Sequence, residues 1–477
     1  MTLTRSLAHN TALQIVGKII STIFGLVAIG IMTRTLGTEE FGWYATAAGW
    51  LQFIGILSDF GFTLVVSNLL SEPRFAKQTV LNTTFTWRMI TAVLFQGLAP
   101  LVFLFFPYPT TVKLAVFIIT FSFLAVAVGN VFLGYFRAEL NMLSATIAEV
   151  VGRLVLVGGI AGVAYLGAGF LAMMAIISLA ALTTTAILMA KSSAVRFAID
   201  RAVSRAMFHK MWPTAVAIIF NAFYLQGDRV LLPLYVSASE VGFYGAAYRV
   251  VDVVIQVAAI VMGLVMPLIT FAWSRGLKDK FREHFQLGFD LLSVILLPML
   301  TGIFVLATPI MIFVAGPTYA AAGPILRWLA VCIFGICFGQ VFGHVALAIN
   351  RQKEALWIYV SDAVISVAGY LIFIPRFGIP GAIGVTIGSE LYAGFGLLAL
   401  TVYYSKTAPR LLTFGKIAIV SGLMGATLWR LPGLSLGGAI MAGGLIFLVG
   451  AMLLKIISPA IIREILRWRP VAPNIKV

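Results

Sequence analysis

Long apolar runs, separated by short polar or turn-forming stretches, dominate this 477-residue sequence. A transmembrane helix needs roughly 20 consecutive apolar residues, whereas a soluble domain carries about 25% charged residues. Here 61% of the residues are hydrophobic and only 10% are Asp, Glu, Lys or Arg. The pattern excludes a soluble enzyme, a nucleic-acid binder and a disordered chain. It predicts an all-α polytopic membrane protein.

The lengths of the runs and the breaks between them predict about 14 membrane spans. The breaks contain turn-forming Pro and Gly, as at 107–109, 316–317 and 377–380. The first run lacks a small-residue cleavage site, so we interpret it as the first span and not as a signal peptide. The predicted spans are 11–33, 42–70, 80–106, 113–136, 142–166, 168–190, 211–235, 242–271, 285–314, 320–349, 355–375, 380–404, 412–429 and 436–457.

The distribution of basic residues predicts the orientation of these spans. With a cytoplasmic N-terminus, most Lys and Arg fall in inner loops, and the outer loops hold only Arg34, Lys113, Arg376 and Arg430. Shifting the map by one helix removes this positive-inside bias. We therefore expect both termini to be cytoplasmic. The longest inner loop, 191–210, is basic with interleaved apolar residues. Two interpretations fit this loop. It lies on the inner leaflet as an amphipathic helix, or its charges only set the orientation of the neighbouring spans and bind no specific partner.

The sequence also contains an internal repeat. TEEFGWYATAA (38–48) matches ASEVGFYGAAY (238–248) at an offset of 200 residues, which aligns Gly42 with Gly242 and Tyr44 with Tyr244. A second match pairs LGAGFLAMMAIIS (166–178) with FGIPGAIGVTIGS (377–389). Because both matches lie at corresponding places in the helix order, they predict a repeat of six helices.

The repeat predicts the domain organisation. Six helices are an even number, so the two repeats have the same orientation across the membrane, as in some secondary transporters. In such folds the substrate site lies between the halves, which rock about it. The predicted parts are an N-terminal lobe (8–205), a C-terminal lobe (206–408), helices 13 and 14 (409–457) and a basic cytoplasmic tail (458–477).

Ionisable residues within predicted spans are the candidate functional residues, because such residues are costly in a bilayer and usually face a cavity or a partner. Spacings of four and three residues place Glu149 with Arg153, and Arg249 with Asp252, on shared helix faces. These spacings permit ion pairs within each helix, or binding of substrate by the same groups. Asp228 and the adjacent Arg229 cannot pair well, so at least one needs a partner on another helix. The candidate substrate-binding cations are Lys18, Arg88, Arg153, Arg229, Arg249 and Arg327.

Three of these cations, Lys18, Arg88 and Arg327, have no acid on their own helix face and are therefore the best candidates for binding an anion. For Lys18 and Arg88, snorkelling of the long side chain to the interface is the alternative. The candidate ion-coupling acids are Asp59, Asp228, Asp362 and Glu390. A buried carboxylate can carry a proton, ligate Na⁺ or simply join two helices by a hydrogen bond.

Signatures of catalysis are absent from the sequence. It contains no Walker A or metal-ligand motif, and we expect neither an enzyme nor a resident cofactor or metal. The two cysteines, Cys332 and Cys337, and His344 fall in apolar stretches, where we expect ordinary core residues. Any driving energy should then come from a H⁺ or Na⁺ gradient or from a downstream sink.

Three stretches resemble one known family. They are RTLGTEEFGWYATAAGWLQFIGILSDFGF (34–62), GDRVLLPLYVSASEVGFYGAAYRVVDVV (227–254) and FGIPGAIGVTIGSELY (377–392). Over about residues 10–405 the chain resembles the bacterial polysaccharide-transport flippases of the multidrug/oligosaccharidyl-lipid/polysaccharide flippase superfamily. The resemblance implies a V-shaped pair of lobes around a cationic cavity, in a multi-pass protein of the bacterial inner membrane.

The same resemblance implies a function and its partners. The implied substrate is an undecaprenyl-diphosphate-linked oligosaccharide, moved to the outer leaflet for exopolysaccharide, O-antigen or capsule synthesis. A polysaccharide polymerase or assembly protein is an implied partner; nucleic acid is not. Two alternatives stay open, a H⁺- or Na⁺-coupled multidrug exporter of the same superfamily and a flippase for the peptidoglycan lipid precursor. The intramembrane cations argue against cationic drugs, whereas the acids are compatible with them.

Overall fold

The computed structural model describes residues 3–70, 72, 74–139 and 141–456, which form helices and turns without any β-strand. Helices are expected, because a bilayer supplies no water to satisfy backbone N–H and C=O groups. The helices are α1 (Leu3–Asp59), α2 (Phe62–Leu70), α3 (Lys77–Phe103), α4 (Thr110–Ala138), α5 (Met142–Leu166), α6 (Phe170–Lys191), α7 (Arg201–Leu231), α8 (Ala238–Ser274), α9 (Lys278–Ala315), α10 (Gly323–Ala348), α11 (Gln352–Phe377), α12 (Ile379–Ser405), α13 (Leu411–Trp429) and α14 (Leu436–Leu453).

Within the described residues, twelve helices are long and apolar enough to cross a membrane. One of them is the 44-residue stretch Val16–Asp59 of α1. At 1.5 Å per residue it is about 66 Å long, twice the apolar thickness of a bilayer. Helix α1 therefore contains the first predicted span, 11–33, and much of the second, 42–70. The predicted span 211–235 falls largely in α7. The all-α, polytopic architecture is confirmed, and the number fourteen stays a prediction.

A break at Gly37 divides α1. Gly37 has φ 72° and ψ −167°, a conformation that side chains with a Cβ rarely adopt. The hydroxyl of Tyr319, a fully buried residue in a 3₁₀ turn, donates a 2.9 Å hydrogen bond to the Gly37 carbonyl. Arg34 Nη1 donates to the Val314 carbonyl, 3.1 Å away. Residues 314–319 thus hold the break in place.

The two copies of the repeat meet at their glycines. A Cβ atom added at Gly42 would lie 1.7 Å from the Ala238 carbonyl oxygen, and one added at Gly242 would lie 2.2 Å from the Thr38 carbonyl oxygen. These two contacts exchange under the 200-residue offset. The backbones therefore cross so closely that only glycine fits at either position, and the repeat inferred from sequence corresponds to a symmetric contact.

The chain divides into two compact units, and each unit combines segments that are separated in the sequence. Unit 1 contains residues 1–246, 314–319 and 359–385. Its core has Phe62, Leu69, Leu81, Phe132 and Met207 among its buried members. Unit 2 contains residues 247–313, 320–358 and 386–477, and α13 packs on α14 through a second cluster that includes Met424 and Phe447. The lobes proposed at 8–205 and 206–408 stay a prediction, and the tail at 458–477 lies outside the described residues.

The basic loop at 191–210, for which an amphipathic helix is one of two interpretations, is only partly helical. Residues 192–200 form an extended strap, and helix α7 begins at Arg201. Side chains of α3 hold the strap at alternate residues: Asn82 Oδ1 accepts from the Arg196 N–H and Thr86 Oγ1 accepts from the Ala198 N–H, both at 3.1 Å. The helical expectation is wrong for 192–200, because these tertiary hydrogen bonds replace the bonds that a helix would make.

Candidate functional site

Lys18 and Arg153 lie on neighbouring helices of unit 1. A Cβ atom added at Gly17 would lie 2.5 Å from Thr146, and one added at Gly25 would lie 3.8 Å from Arg153 Nη1. Helices α1 and α5 therefore pack side by side and run in the same direction. Lys18 and Gly25 are seven residues apart, so they share a face of α1 and are separated by about 10 Å along its axis. This geometry brings the two cations to one surface.

Both of these cations keep their charge available. Lys18 is exposed and Arg153 is half-buried. Among the described residues, neither Lys18 nor Arg153 forms an ion pair. In particular, no ion pair joins Arg153 to Glu149 within this part of the chain. Long cationic side chains on parallel helices can converge on a phosphate group through charge-assisted hydrogen bonds. The surface between α1 and α5 can therefore bind an anion.

Arg88 is engaged inside unit 1. Only 3% of this residue is exposed. Its Nη1 donates to the Ser58 carbonyl at 2.6 Å and its Nε to the Ala127 carbonyl at 3.1 Å. Its Nη2 lies 3.2 Å from Asp59 Oδ1. Asp59 therefore has a cationic partner on α3, and Arg88 joins α1, α3 and α4 where α1 ends.

Asp228 and Arg229 have different environments at the end of α7. Asp228 is 1% exposed and accepts a 2.6 Å hydrogen bond from the hydroxyl of Tyr244 on α8. This confirms that a partner comes from another helix. Arg229 is half-buried, and its backbone packs against Gly49 of α1. Tyr244 belongs to the internal repeat, so the repeat segment also positions a buried acid.

Two predicted cations lie in unit 2. Arg249 Nη1 is 3.7 Å from Asp252 Oδ2, which is the ion pair that the spacing predicts. Arg327 Nε donates to the Phe304 carbonyl at 3.1 Å, and its guanidinium lies 5.3 Å from the centre of the Trp429 ring. The Arg327 guanidinium thus contacts a backbone carbonyl and an aromatic ring. Through these contacts Arg327 connects α9, α10 and α13.

The remaining predicted acids, Asp362 and Glu390, are both buried. Asp362 is fully buried in the part of α11 that belongs to unit 1, where Ser366 Oγ lies 3.3 Å from its Oδ1. Glu390 of α12 is 4% exposed, and its Cβ packs against Gly335 of α10 in unit 2. The described residues contain no group of three or more His, Cys, Asp or Glu that could hold a metal ion.

An apolar cavity in unit 2 was not expected from the sequence. It has a volume of about 280 Å³ and lies among α9, α10, α12 and the start of α13. Six of its lining residues are phenylalanines, namely Phe289, Phe334, Phe338, Phe342, Phe395 and Phe414. The four-residue spacing of Phe334, Phe338 and Phe342 is the signal that predicts one aromatic face on α10. A cavity of this composition can hold an apolar chain.

An ion cluster lies outside the membrane-spanning segments of unit 1. Glu72 accepts from Lys210 at the start of α7 and from Arg74, whose Nε is 2.6 Å away. The hydrogen bond from Lys210, followed by that from Arg74, lowers the pKa of Glu72 below its ordinary value. This cluster fastens the segment between α2 and α3 to α7.

Comparison with known proteins yields matches in sequence and in fold. The family model described as "Polysaccharide biosynthesis protein" matches residues 7–273. The succinoglycan biosynthesis transport protein ExoT of Rhizobium meliloti (strain 1021) is 28% identical over an alignment of 329 residues that covers 65% of this chain. The match spans 63% of the length of that relative.

Solved transporter structures share the fold. The lipid II flippase MurJ in an inward closed conformation has a TM-score of 0.76 at 13% identity, covering 95% of this chain and 99% of that one. An inward-facing multidrug resistance MATE family transporter of the MOP superfamily has a TM-score of 0.68 at 17% identity, covering 81% and 95%. At these identities the likeness concerns the fold alone.

Proposed function

This chain belongs to the polysaccharide biosynthesis protein family, and from that premise we propose that it is a lipid-linked oligosaccharide flippase. The proposed substrate is an undecaprenyl-diphosphate-linked oligosaccharide. The proposed reaction is its movement by alternating access from the cytoplasmic to the outer leaflet of the bacterial inner membrane. We propose that both termini are cytoplasmic, because this orientation follows the positive-inside rule.

The observation that carries the proposal is the pair Lys18 and Arg153. A diphosphate must lose part of its hydration to cross the membrane, and this loss is costly unless charged donors replace the water. Two cations without an ion-pair partner among the described residues can replace it. They would repel a cationic drug, which disfavours the multidrug alternative. We propose Arg229 and Arg249 as further contributors and assign Arg88 and Arg327 to helix packing.

Other parts of the molecule suit the remaining parts of this substrate. The phenylalanine-lined cavity of unit 2 offers an apolar surface for the polyprenyl chain. Asp362 and Glu390 are the proposed carriers for a coupling proton, because both carboxyl groups are buried. Asp59, which pairs with Arg88, and Asp228, which accepts from Tyr244, are the other two coupling candidates.

The test is mass spectrometry of lipid extracts after deletion of the gene. We expect a polyprenyl-diphosphate oligosaccharide to accumulate, because its synthesis continues while its export stops. Complementation with Lys18→Gln or Arg153→Gln should leave the lipid elevated at normal protein level. One charge-assisted hydrogen bond contributes about 1.5–3 kcal/mol, so export should slow by roughly 10- to 100-fold.

The matched control is Lys353→Gln, which removes an exposed cation at the start of α11. This variant should restore export fully. An unchanged lipid pool after gene deletion would contradict the flippase proposal itself. Normal export by both the Lys18 and the Arg153 variants, with accumulation in the deletion strain, would contradict only the assigned site.

A further inference from the structure

The first three turns of α7 have one exposed face with an unusual composition. Arg201, Arg205, Phe208 and Trp212 are all exposed, Trp212 to 73%. Their spacings of four, three and four residues place them on one side of the helix. The opposite side is buried in the core of unit 1 through Val203, Met207 and Met211. We call the four exposed residues the basic–aromatic face.

The charge on this face is not neutralised by nearby acids. The Asp200 carboxylate caps α7 by accepting from the Val203 N–H at 2.8 Å. Glu72 is bound to Lys210 and Arg74. Among the described residues, no ion pair includes Arg201 or Arg205. The face therefore keeps two positive charges for an external anion.

Tertiary contacts anchor the helix that carries this face, one of them through Phe208. Phe208 packs edge-on against Trp87 of α3, with ring centres 5.0 Å apart. Trp87 Nε1 in turn donates a 3.0 Å hydrogen bond to Ser204 Oγ on α7. These contacts fix the start of α7 against α3, where the strap is also bound. A preorganised surface loses little conformational entropy when a ligand binds.

We propose that the basic–aromatic face is a binding site for an anionic phospholipid. Arg201 and Arg205 bind the headgroup phosphate, and Phe208 and Trp212 contact the glycerol region and the acyl chains. From Arg201 to Trp212 the helix rises about 16 Å, enough to pass from the headgroups into the hydrocarbon layer. Cations at the headgroup level with Trp just below them are the arrangement that such a lipid requires.

The experiment is native mass spectrometry of the purified full-length protein, titrated with phosphatidylglycerol or phosphatidylcholine. The test variant is Arg201→Gln/Arg205→Gln. Lys278→Gln/Lys280→Gln is the matched control, since it removes two exposed charges at the start of α9. Each cation near an anionic surface contributes about a fivefold factor at low salt, so the test variant should bind phosphatidylglycerol about 25-fold more weakly. The control should stay within about twofold of the wild type.

A second variant tests the acyl contact. Trp212→Leu should reduce retention of both lipids to a similar extent, because the ring contacts chains that the two lipids share. Equal loss of phosphatidylglycerol in the test and control variants would overturn the proposal, as would unchanged binding by the test variant. Displacement of the lipid by millimolar inorganic phosphate alone would also overturn it, because it would show a simple anion site. Lipid binding is measured without transport, so the proposed function is tested separately.

Discussion

The crossing of Gly42 and Gly242 leads to the sharpest stability prediction. An alanine Cβ at position 42 would be 1.7 Å from the Ala238 carbonyl oxygen. Contacts of real Cβ atoms below 3.0 Å are essentially never seen, so the helices must separate by more than 1 Å. The obstacle is backbone and not a flexible side chain. Overpacking of this kind costs typically about 1–3 kcal/mol, and we expect Gly42→Ala to reach the upper part of that range.

The matched control is Gly97→Ala within α3, six residues before its end, where an added Cβ would meet no atom within 4 Å. In open space, replacing a helical Gly by Ala is favourable by up to about 1 kcal/mol. The two chemically identical substitutions should therefore shift thermal unfolding in opposite directions. The assay is the unfolding temperature of the purified protein in detergent. A change of about 1 kcal/mol in the free energy of unfolding shifts this temperature by about 2–4 °C for chains of moderate size.

A double variant tests whether the two glycines share one contact. One separation of the helices relieves the overlap of both Gly42→Ala and Gly242→Ala, so the double variant should cost clearly less than the sum of the single variants. An unfolding temperature of Gly42→Ala equal to that of Gly97→Ala would refute the close crossing. Strict additivity of the two glycine variants would refute the shared contact.

Three further predictions concern unit 1. Arg88→Met should lower the free energy of unfolding by about 3–5 kcal/mol in a denaturation experiment, because Asp59 loses the guanidinium that pairs with it. A change below about 1 kcal/mol would contradict this reasoning. The lowered pKa of Glu72 stabilises the fold at pH values above its ordinary 4.5, and this contribution is lost as the pH falls through the lowered pKa of the folded state. Glu72→Gln should therefore reduce the difference in unfolding temperature between pH 7 and pH 3, and an unaltered difference would count against the Lys210 contact. Asn82→Ala should speed tryptic cleavage within the strap, and an equal rate of cleavage would show that the strap is held elsewhere.

The candidate site was predictable from sequence in its residue types and only partly in its arrangement. Spacing within one helix correctly paired Arg249 with Asp252, because helical geometry fixes which residues share a face. It failed for Glu149 and Arg153, which share a face but form no ion pair in the described structure. It also could not show that Asp59 reaches Arg88, because that contact joins two helices.

The sequence by itself determined the helical architecture and the repeat. Apolar runs force helices in a membrane because backbone groups must find partners within their own segment, and a 200-residue offset between matching glycines is visible without coordinates. Tertiary structure decided what lies between helices: the strap at 192–200, the hydrogen bond from Tyr319 to Gly37, and the burial of Arg88. These features depend on which helix faces meet, and helix periodicity leaves that choice to packing.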